Sequence, residues 1–141
     1  MSDFHFSCPI EVRYGDLDPQ GHVNNANFLT YLEQARINYL VNLGLFSRKL
    51  AFMDVGIILA DAHVKFISPV FFDSDLHADV QVTRLGNKSL TMAYRLQEAT
   101  GGLEIATATT VLVTYDYRTS ETISIPPDWR EKIRDFERLL D

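Results

Sequence analysis

The spacing of apolar and polar positions divides the chain into a short strand, a long helix, four further strands and a closing helix. Phe4, Phe6, Ile10 and Val12 fall on even positions of residues 4–13. This partial alternation predicts a strand, and Pro9 interrupts it. Proline has no N–H for a ladder, so the strand is expected at a sheet edge. Residues 14–25 (YGDLDPQGHVNN) are dense in Gly, Pro, Asp and Asn and predict a loop. From Ala26 the period changes: Phe28, Leu32, Ala35, Tyr39 and Leu43 recur at helical spacing. Asn24 or Asn25 can cap the start, and Gly44 stands where a helix-ending glycine belongs. Leu29, Tyr31, Ile37, Leu40 and Val41 make the other faces apolar too, so this helix is expected to be surrounded by protein.

Alternation of period two then takes over. In residues 56–67 the even positions Ile58, Ala60, Ala62, Val64 and Phe66 predict a buried face, and Asp61, His63 and Lys65 a wet one. Leu76, Ala78, Val80 and Val82 point inward from a strand over 75–85, and Gly86-Asn87 marks a hairpin. Residues 88–98 and 103–117 give two more strands around Thr100-Gly101-Gly102, the second carrying Ile105, Val111, Val113, Tyr115 and Tyr117 on one face. After Pro126-Pro127, the residues Trp129, Ile133, Phe136 and Leu140 form the stripe of a C-terminal helix at about 126–141. Short connections imply antiparallel neighbours, and one curved sheet around one apolar helix is the economical α+β packing.

Composition narrows the class. With 141 residues, 46% hydrophobic and 23% charged, the chain reads as a single globular domain over residues 1–141. Its formal charge of −6 opposes a phosphate backbone, so nucleic acid is not an expected partner. No apolar run reaches the length of a membrane span, and the first residues have neither a basic region nor a hydrophobic run. Cys8 is the one cysteine, so no internal disulfide forms. The expected location is the cytoplasm.

The loop at 16–25 carries the densest chemistry. Asp16, Asp18 and Gly21 match positions 1, 3 and 6 of a calcium loop, but Asn27 stands where the bidentate glutamate belongs and a strand precedes it. Asp16, Asp18 and His22 could hold a transition metal, although no second His or Cys follows nearby. A third reading is acyl transfer. A carboxylate just before a helix start stands beside free backbone N–H groups that can hold an oxyanion, while the carboxylate attacks a carbonyl or activates water. The plain alternative is that Asp16, Asp18, Asn24 and Asn25 only supply turn and capping hydrogen bonds. No G-x-S-x-G, G-x-G-x-x-G or P-loop occurs.

The stretch Tyr14-Gly15-Asp16-Leu17-Asp18-Pro19-Gln20-Gly21-His22-Val23-Asn24-Asn25, followed by Phe28, Tyr31, Glu33 and Arg36, resembles the 4-hydroxybenzoyl-CoA thioesterase family of hot-dog-fold acyl-CoA thioesterases. Pro69, Asp73 and Asp75, and Leu85-Gly86-Asn87-Lys88-Ser89, look like later parts of the same family. The resemblance runs to about Tyr117 and implies a hot-dog fold and hydrolysis of an acyl-CoA to a carboxylic acid and free coenzyme A. It implies no metal or redox cofactor, coenzyme A being part of the substrate. It further implies Asp18 as the catalytic carboxylate, nucleophile or general base, and the Asn25 N–H as oxyanion donor.

Around these, His22 either orients Asp18 or contacts the thioester, or else only bonds a carbonyl, and Asn24 shapes the site. Tyr14, Phe28 and Tyr31 are candidates for the acyl pocket by their nearness to the loop. Glu33 is expected to serve structure with Arg36 at i+3. Coenzyme A is polyanionic, so local cations are required. Arg84 and Lys88, with Arg95 and the Ser89 hydroxyl, cluster about the hairpin and are candidates for its phosphates, or else form a solvated tip. Exposed strand edges and a half-built site favour a homodimer or homotetramer. The alternatives in other classes are a non-catalytic acyl-CoA or acyl-carrier binder, in which Asp18 is only a cap, and a hot-dog hydratase, whose His–acid motif is not found.

Overall fold

The computed structural model describes residues 4–49 and 54–140. Its strands are β1 (Phe6–Ile10), β2 (Val55–Phe66), β3 (Leu76–Leu85), β4 (Ser89–Glu98), β5 (Glu104–Asp116) and the two-residue β6 (Glu121–Thr122). Its helices are α1 (Phe28–Asn42) and α2 (Pro127–Glu137). All strand pairs are antiparallel and run in the order β1-β3-β4-β5-β2, with β6 beside β5. The expected sheet wrapped around a central helix is therefore the fold, and β1 with its Pro9 lies at one edge as its sequence requires.

The concave face is built by period-two alternation. Beside the buried Leu76, the β3 residues Ala78, Val80 and Val82 pair across to Leu96, Tyr94 and Met92 of β4, and these to Ala106, Ala108 and Thr110 of β5. Onto this face α1 lays Phe28, Tyr31, Leu32, Ala35, Tyr39 and Leu40, all buried. The sheet curls past only one side of the helix. Glu33 and Gln34 face solvent and Leu29 is 45% exposed, so α1 is not surrounded as its apolar faces suggested.

Three other expectations need correction. First, the middle of β2 buries neither face: Ile58, Leu59, Ala60, Asp61, Ala62 and His63 are all exposed, and only Gly56, with the half-buried Val55, Ile57 and Val64, is covered. It is the second edge strand, bulged between Leu59 and Asp61, and α1 meets it at its end, where Phe28 packs on Phe66. Second, Ile105 is fully buried where the β4–β5 register shifts, whereas Val111, Val113 and Tyr115, placed on one face with it by spacing, lie on the partly exposed side of β5. Ala106, Ala108, Thr110, Leu112 and Thr114 are buried. Third, α2 ends at Glu137 and Leu140 lies fully exposed beyond it, outside the stripe of Trp129 and Ile133 that seals the core. Among the described residues no helix is long and apolar enough to cross a membrane.

Candidate active site

Residues 13–27 fold into three consecutive small turns, each fixed by polar side chains. A 3₁₀ turn at Tyr14–Asp16 is closed by the Arg13 N–H donating to Asp16 Oδ2 at 3.0 Å. Leu17 and Val23 then pair as a bridge, with the Asp18 N–H donating to the His22 carbonyl at 3.0 Å and the Gly21 N–H to the Asp18 carbonyl at 2.9 Å. Gly21 has φ +89°, the left-handed backbone that this tight reversal needs. The Val23 N–H reaches the Val70 carbonyl at 2.8 Å and ties the loop to the connection between β2 and β3. A second 3₁₀ turn at Asn25–Asn27 leads into α1, so the helix proper starts at Phe28, two residues later than its period suggested.

The two aspartates have opposite surroundings. Asp16 is buried, and its Oδ2 accepts the Tyr31 hydroxyl at 2.7 Å besides the Arg13 N–H. Burial pushes its carboxyl up, but the hydrogen bonds from Arg13 and Tyr31 and the Arg13 charge outweigh that and hold it below the ordinary carboxylate value. Tyr31 is correspondingly held a neutral phenol, raised by burial first and by the Asp16 carboxylate second. Asp18 instead stands at the tip of the small hairpin. Its Oδ1 accepts the Gln20 N–H at 2.9 Å, while Oδ2 has only His22 Nδ1 in range, at 3.9 Å. That nitrogen also lies 3.4 Å from the Val23 carbonyl oxygen.

The helix entry is unevenly satisfied. Asn24 Oδ1 accepts the Ala26 N–H at 2.9 Å, the Asn27 N–H goes to the Asn24 carbonyl, and the Phe28 N–H to the Asn25 carbonyl. Among the described residues the Asn25 N–H meets no acceptor, so one donor at the positive end of the helix dipole is left without a partner. It borders a cleft of about 200 Å³ shared by His22, Asn25, Phe28, Phe66, Ile67 and Ser68. The floor is the edge-to-face pair Phe28–Phe66, 5.1 Å between centroids.

The loop thus gathers Asp18, His22, Asn24, Asn25 and Phe28 at one end of α1. Tyr31 lies beneath Phe28 at 6.0 Å with its hydroxyl spent on Asp16. Tyr14 stands outside the cleft, 80% exposed, its ring edge-on to Phe72 at 6.1 Å. Glu33 is 3.9 Å from the buried Arg36, the i+3 pair anticipated. Asp16 faces Tyr31 rather than joining Asp18 and His22 as a metal ligand, and among the described residues no three His, Cys, Asp or Glu side chains converge.

Arg84, Lys88 and Ser89 do not join this end within one copy of the chain. They sit at the β3–β4 hairpin, a full strand length of about 30 Å from the start of β3 beside the loop. Arg95 is no part of that cluster. It lies mid-strand, bonded to the buried Asp79 at 2.7 and 2.9 Å. The cleft wall Phe66-Ile67-Ser68 and the neighbouring Phe71-Phe72 escaped sequence reasoning. Their signal is aromatic residues clustered in a connector that also carries Ser68-Pro69, where water-facing residues are the norm.

Comparison with known proteins bears on this arrangement. The profile of the thioesterase-like superfamily matches residues 12–133. The long-chain acyl-CoA thioesterase FadM of Escherichia coli (strain K12) is 27% identical over 88% of this chain and 93% of that protein. A thioesterase of Thermus thermophilus, solved with coenzyme A and Zn, superposes with a TM-score of 0.81 at 30% identity, covering 98% of both chains. The PA5185 protein of Pseudomonas aeruginosa PAO1 superposes with a TM-score of 0.85 at 25% identity, over 94% of this chain and 92% of that one.

Proposed function

The chain belongs to the thioesterase-like superfamily and is a thioester hydrolase, and on that premise we propose that it hydrolyses acyl-CoA to a carboxylic acid and free coenzyme A, in the cytoplasm and without a metal or redox cofactor. Asp18 is the reacting carboxylate. As general base it takes a proton from water whose oxygen adds to the thioester carbonyl carbon. As nucleophile its own oxygen adds there, and water later opens the acyl-enzyme. Either way the carbonyl oxygen becomes an oxyanion facing the Asn25 N–H, the C–S bond breaks, and the thiolate leaves and is protonated. His22 positions Asp18, and Asn24 holds the turn that frees the Asn25 donor. The observation that carries this reading is the pairing of a carboxylate with an unspent oxygen and a helix-entry N–H with no acceptor on one short loop.

A panel of acyl-CoAs with thiol detection tests it. Release of free thiol, lost in Asp18→Asn, is the expected result. Binding of every acyl-CoA without thiol release makes the chain an acyl-CoA binder, and parent rates in Asp18→Asn remove the carboxylate from the chemistry.

The proposed assembly is at least a dimer formed through β2. This strand has 12 residues, a free edge and exposed Ile58 and Leu59, whereas β1 has five residues and carries Pro9. The start of β2 lies by the hairpin through Ile58–Val113–Ser89, and its end at Phe66 lies by the cleft. Antiparallel pairing of two β2 strands therefore carries each copy's Arg84, Lys88 and Ser89 toward the other copy's cleft, where the phosphates of coenzyme A need cations. Soaking with coenzyme A tests this: its adenosine phosphates belong at the hairpin of the second copy, and phosphates found elsewhere remove Lys88 from the site.

A further inference from the structure

The connection between β2 and β3 reverses at residues 71–74, where the Phe71 N–H donates to Ser74 Oγ at 3.0 Å and the Ser74 N–H to the Phe71 carbonyl at 3.1 Å. This turn is anchored to the Asp18 loop through the Val23–Val70 bond. It holds two rings outward in spite of the cost of wetting them: Phe71 is 48% exposed and Phe72 56%. Phe71 stands edge-on to His22 at 6.4 Å, and Phe72 edge-on to the exposed Tyr14. The three rings form a ledge that starts at His22, on the rim of the Phe28–Phe66 cleft, and lies outside that cleft. Beyond Phe72 it opens into a groove of about 380 Å³ walled by Val12, Gln34 and Leu76, with Glu11 and Asp75 among its polar groups.

The ledge and the cleft suit different halves of a thioester. A cleft of about 200 Å³ is smaller than the roughly 300 Å³ lower bound for pockets that enclose a drug-sized ligand, so a longer substrate has to leave it. The ledge is aromatic, and the charges beside it are the carboxylates of Glu11, Asp73 and Asp75. The one cation next to it in sequence, Arg13, reaches back to Asp16 at 3.4 Å. A diphosphate finds no counter-charge there, while a hydrocarbon finds three rings to cover. Resting on the hydrolase reading above, we infer that Tyr14, Phe71 and Phe72 seat the acyl chain, and that the substrates are thioesters of long uncharged acyl groups, with ω-carboxylated chains rejected by Glu11 and Asp75. The ledge is open on one side, so each methylene laid on it gains less than the fourfold of full burial, about twofold.

Two measurements on the full chain test this. In the first, kcat/KM is measured for butanoyl-, octanoyl- and dodecanoyl-CoA and for the ω-carboxyl analogue of the last. In the second, S-butyl- and S-dodecyl-coenzyme A, thioethers that cannot be hydrolysed, are titrated by calorimetry. The expected result is a dodecanoyl-to-butanoyl ratio of at least tenfold, a matching gap in thioether affinity, and discrimination of at least tenfold against the ω-carboxyl chain. The double variant Phe71→Ser, Phe72→Ser, changed at two exposed positions, is expected to collapse both ratios toward one. Equal affinity for the two thioethers, ratios that survive in the double variant, or equal hydrolysis of the ω-carboxyl chain would each overturn the ledge. Absence of hydrolysis with the thioether gap intact overturns the hydrolase reading alone and supports the ledge.

Discussion

The two ends of α1 are built on opposite terms. At its C-terminal end buried polar groups answer one another. Glu137 Oε2 accepts both the Tyr39 hydroxyl at 2.6 Å and the Val82 N–H at 2.9 Å, beside the bulge at Val82–Arg84. Trp129 closes over Phe46 at 5.8 Å, and Ile133 is fully buried behind it. At the N-terminal end an Asp18 oxygen and the Asn25 N–H are left over, and Phe66, Phe71, Phe72 and Tyr14 stand in water. One end spends its polar groups on the fold, and the other keeps them for something outside the chain. The difference teaches where stability is stored in a small enzyme, because groups that must meet substrate cannot also be satisfied internally.

Variants at the two ends should therefore separate rate from stability. The largest effect belongs to Asp18→Asn, expected to lower kcat by about 10³-fold or more, since it removes the base or nucleophile. Its melting temperature, followed by circular dichroism, is expected to stay within about 1 °C of the parent, as surface changes away from packed features do. At the sealed end, Trp129→Ala is expected to lower the unfolding free energy in urea by about 3–5 kcal/mol through the cavity it leaves. The rate per folded molecule serves as the internal check there, and a rate loss as deep as that of Asp18→Asn would break the contrast between the ends. Between them lies Tyr31→Phe, which orphans part of the buried Asp16 carboxylate. It is expected to cost about 1–3 kcal/mol, and a stability equal to the parent's would show that Asp16 is not held as described.

The smallest effect is a pH dependence. Tyr39 and Tyr31 are both raised, each by burial first and then by its carboxylate, Glu137 or Asp16. A raised phenol contributes stability that is fully present below the ordinary tyrosine value of 10.0 and is lost as pH climbs above it, because only the unfolded chain then releases the proton. Urea titrations at rising pH should show that decline, and Tyr39→Phe should flatten it.

Much of this was legible in the residues. The alternation Leu76, Ala78, Val80, Val82 named the inner face of β3, and the run from Phe28 to Tyr39 named the helix and the face it buries. What escaped came from long-range geometry. Ile58, Ala60 and Ala62 alternate like a half-buried strand, yet burial depends on whether a helix lies above them, and none does. Val111, Val113 and Tyr115 do share a face, but the alternation Ala106, Ala108, Thr110 is too small and polar to announce itself as the buried one. In the loop, Asp16 and Asp18 are indistinguishable by spacing. The Arg13 N–H and the Tyr31 hydroxyl, 15 residues on, together decide which carboxylate is consumed, and the second of these is long-range. The hairpin cations look close to the site as motifs but lie a strand length away, because strand direction governs which end each turn occupies.

The unequal edges of the sheet also set how far it can grow. A β-sheet with two open edges can recruit copies without limit, which is the geometry of a fibre. Here β1 is short and carries a proline that offers no N–H, so strand-to-strand growth is left to β2. The pairing proposed through β2 would join like to like about a two-fold axis and use up the open edge of both copies at once. The same asymmetry that exposes a long strand edge would therefore also make that pairing self-terminating, a guard against polymerisation written into the position of one proline.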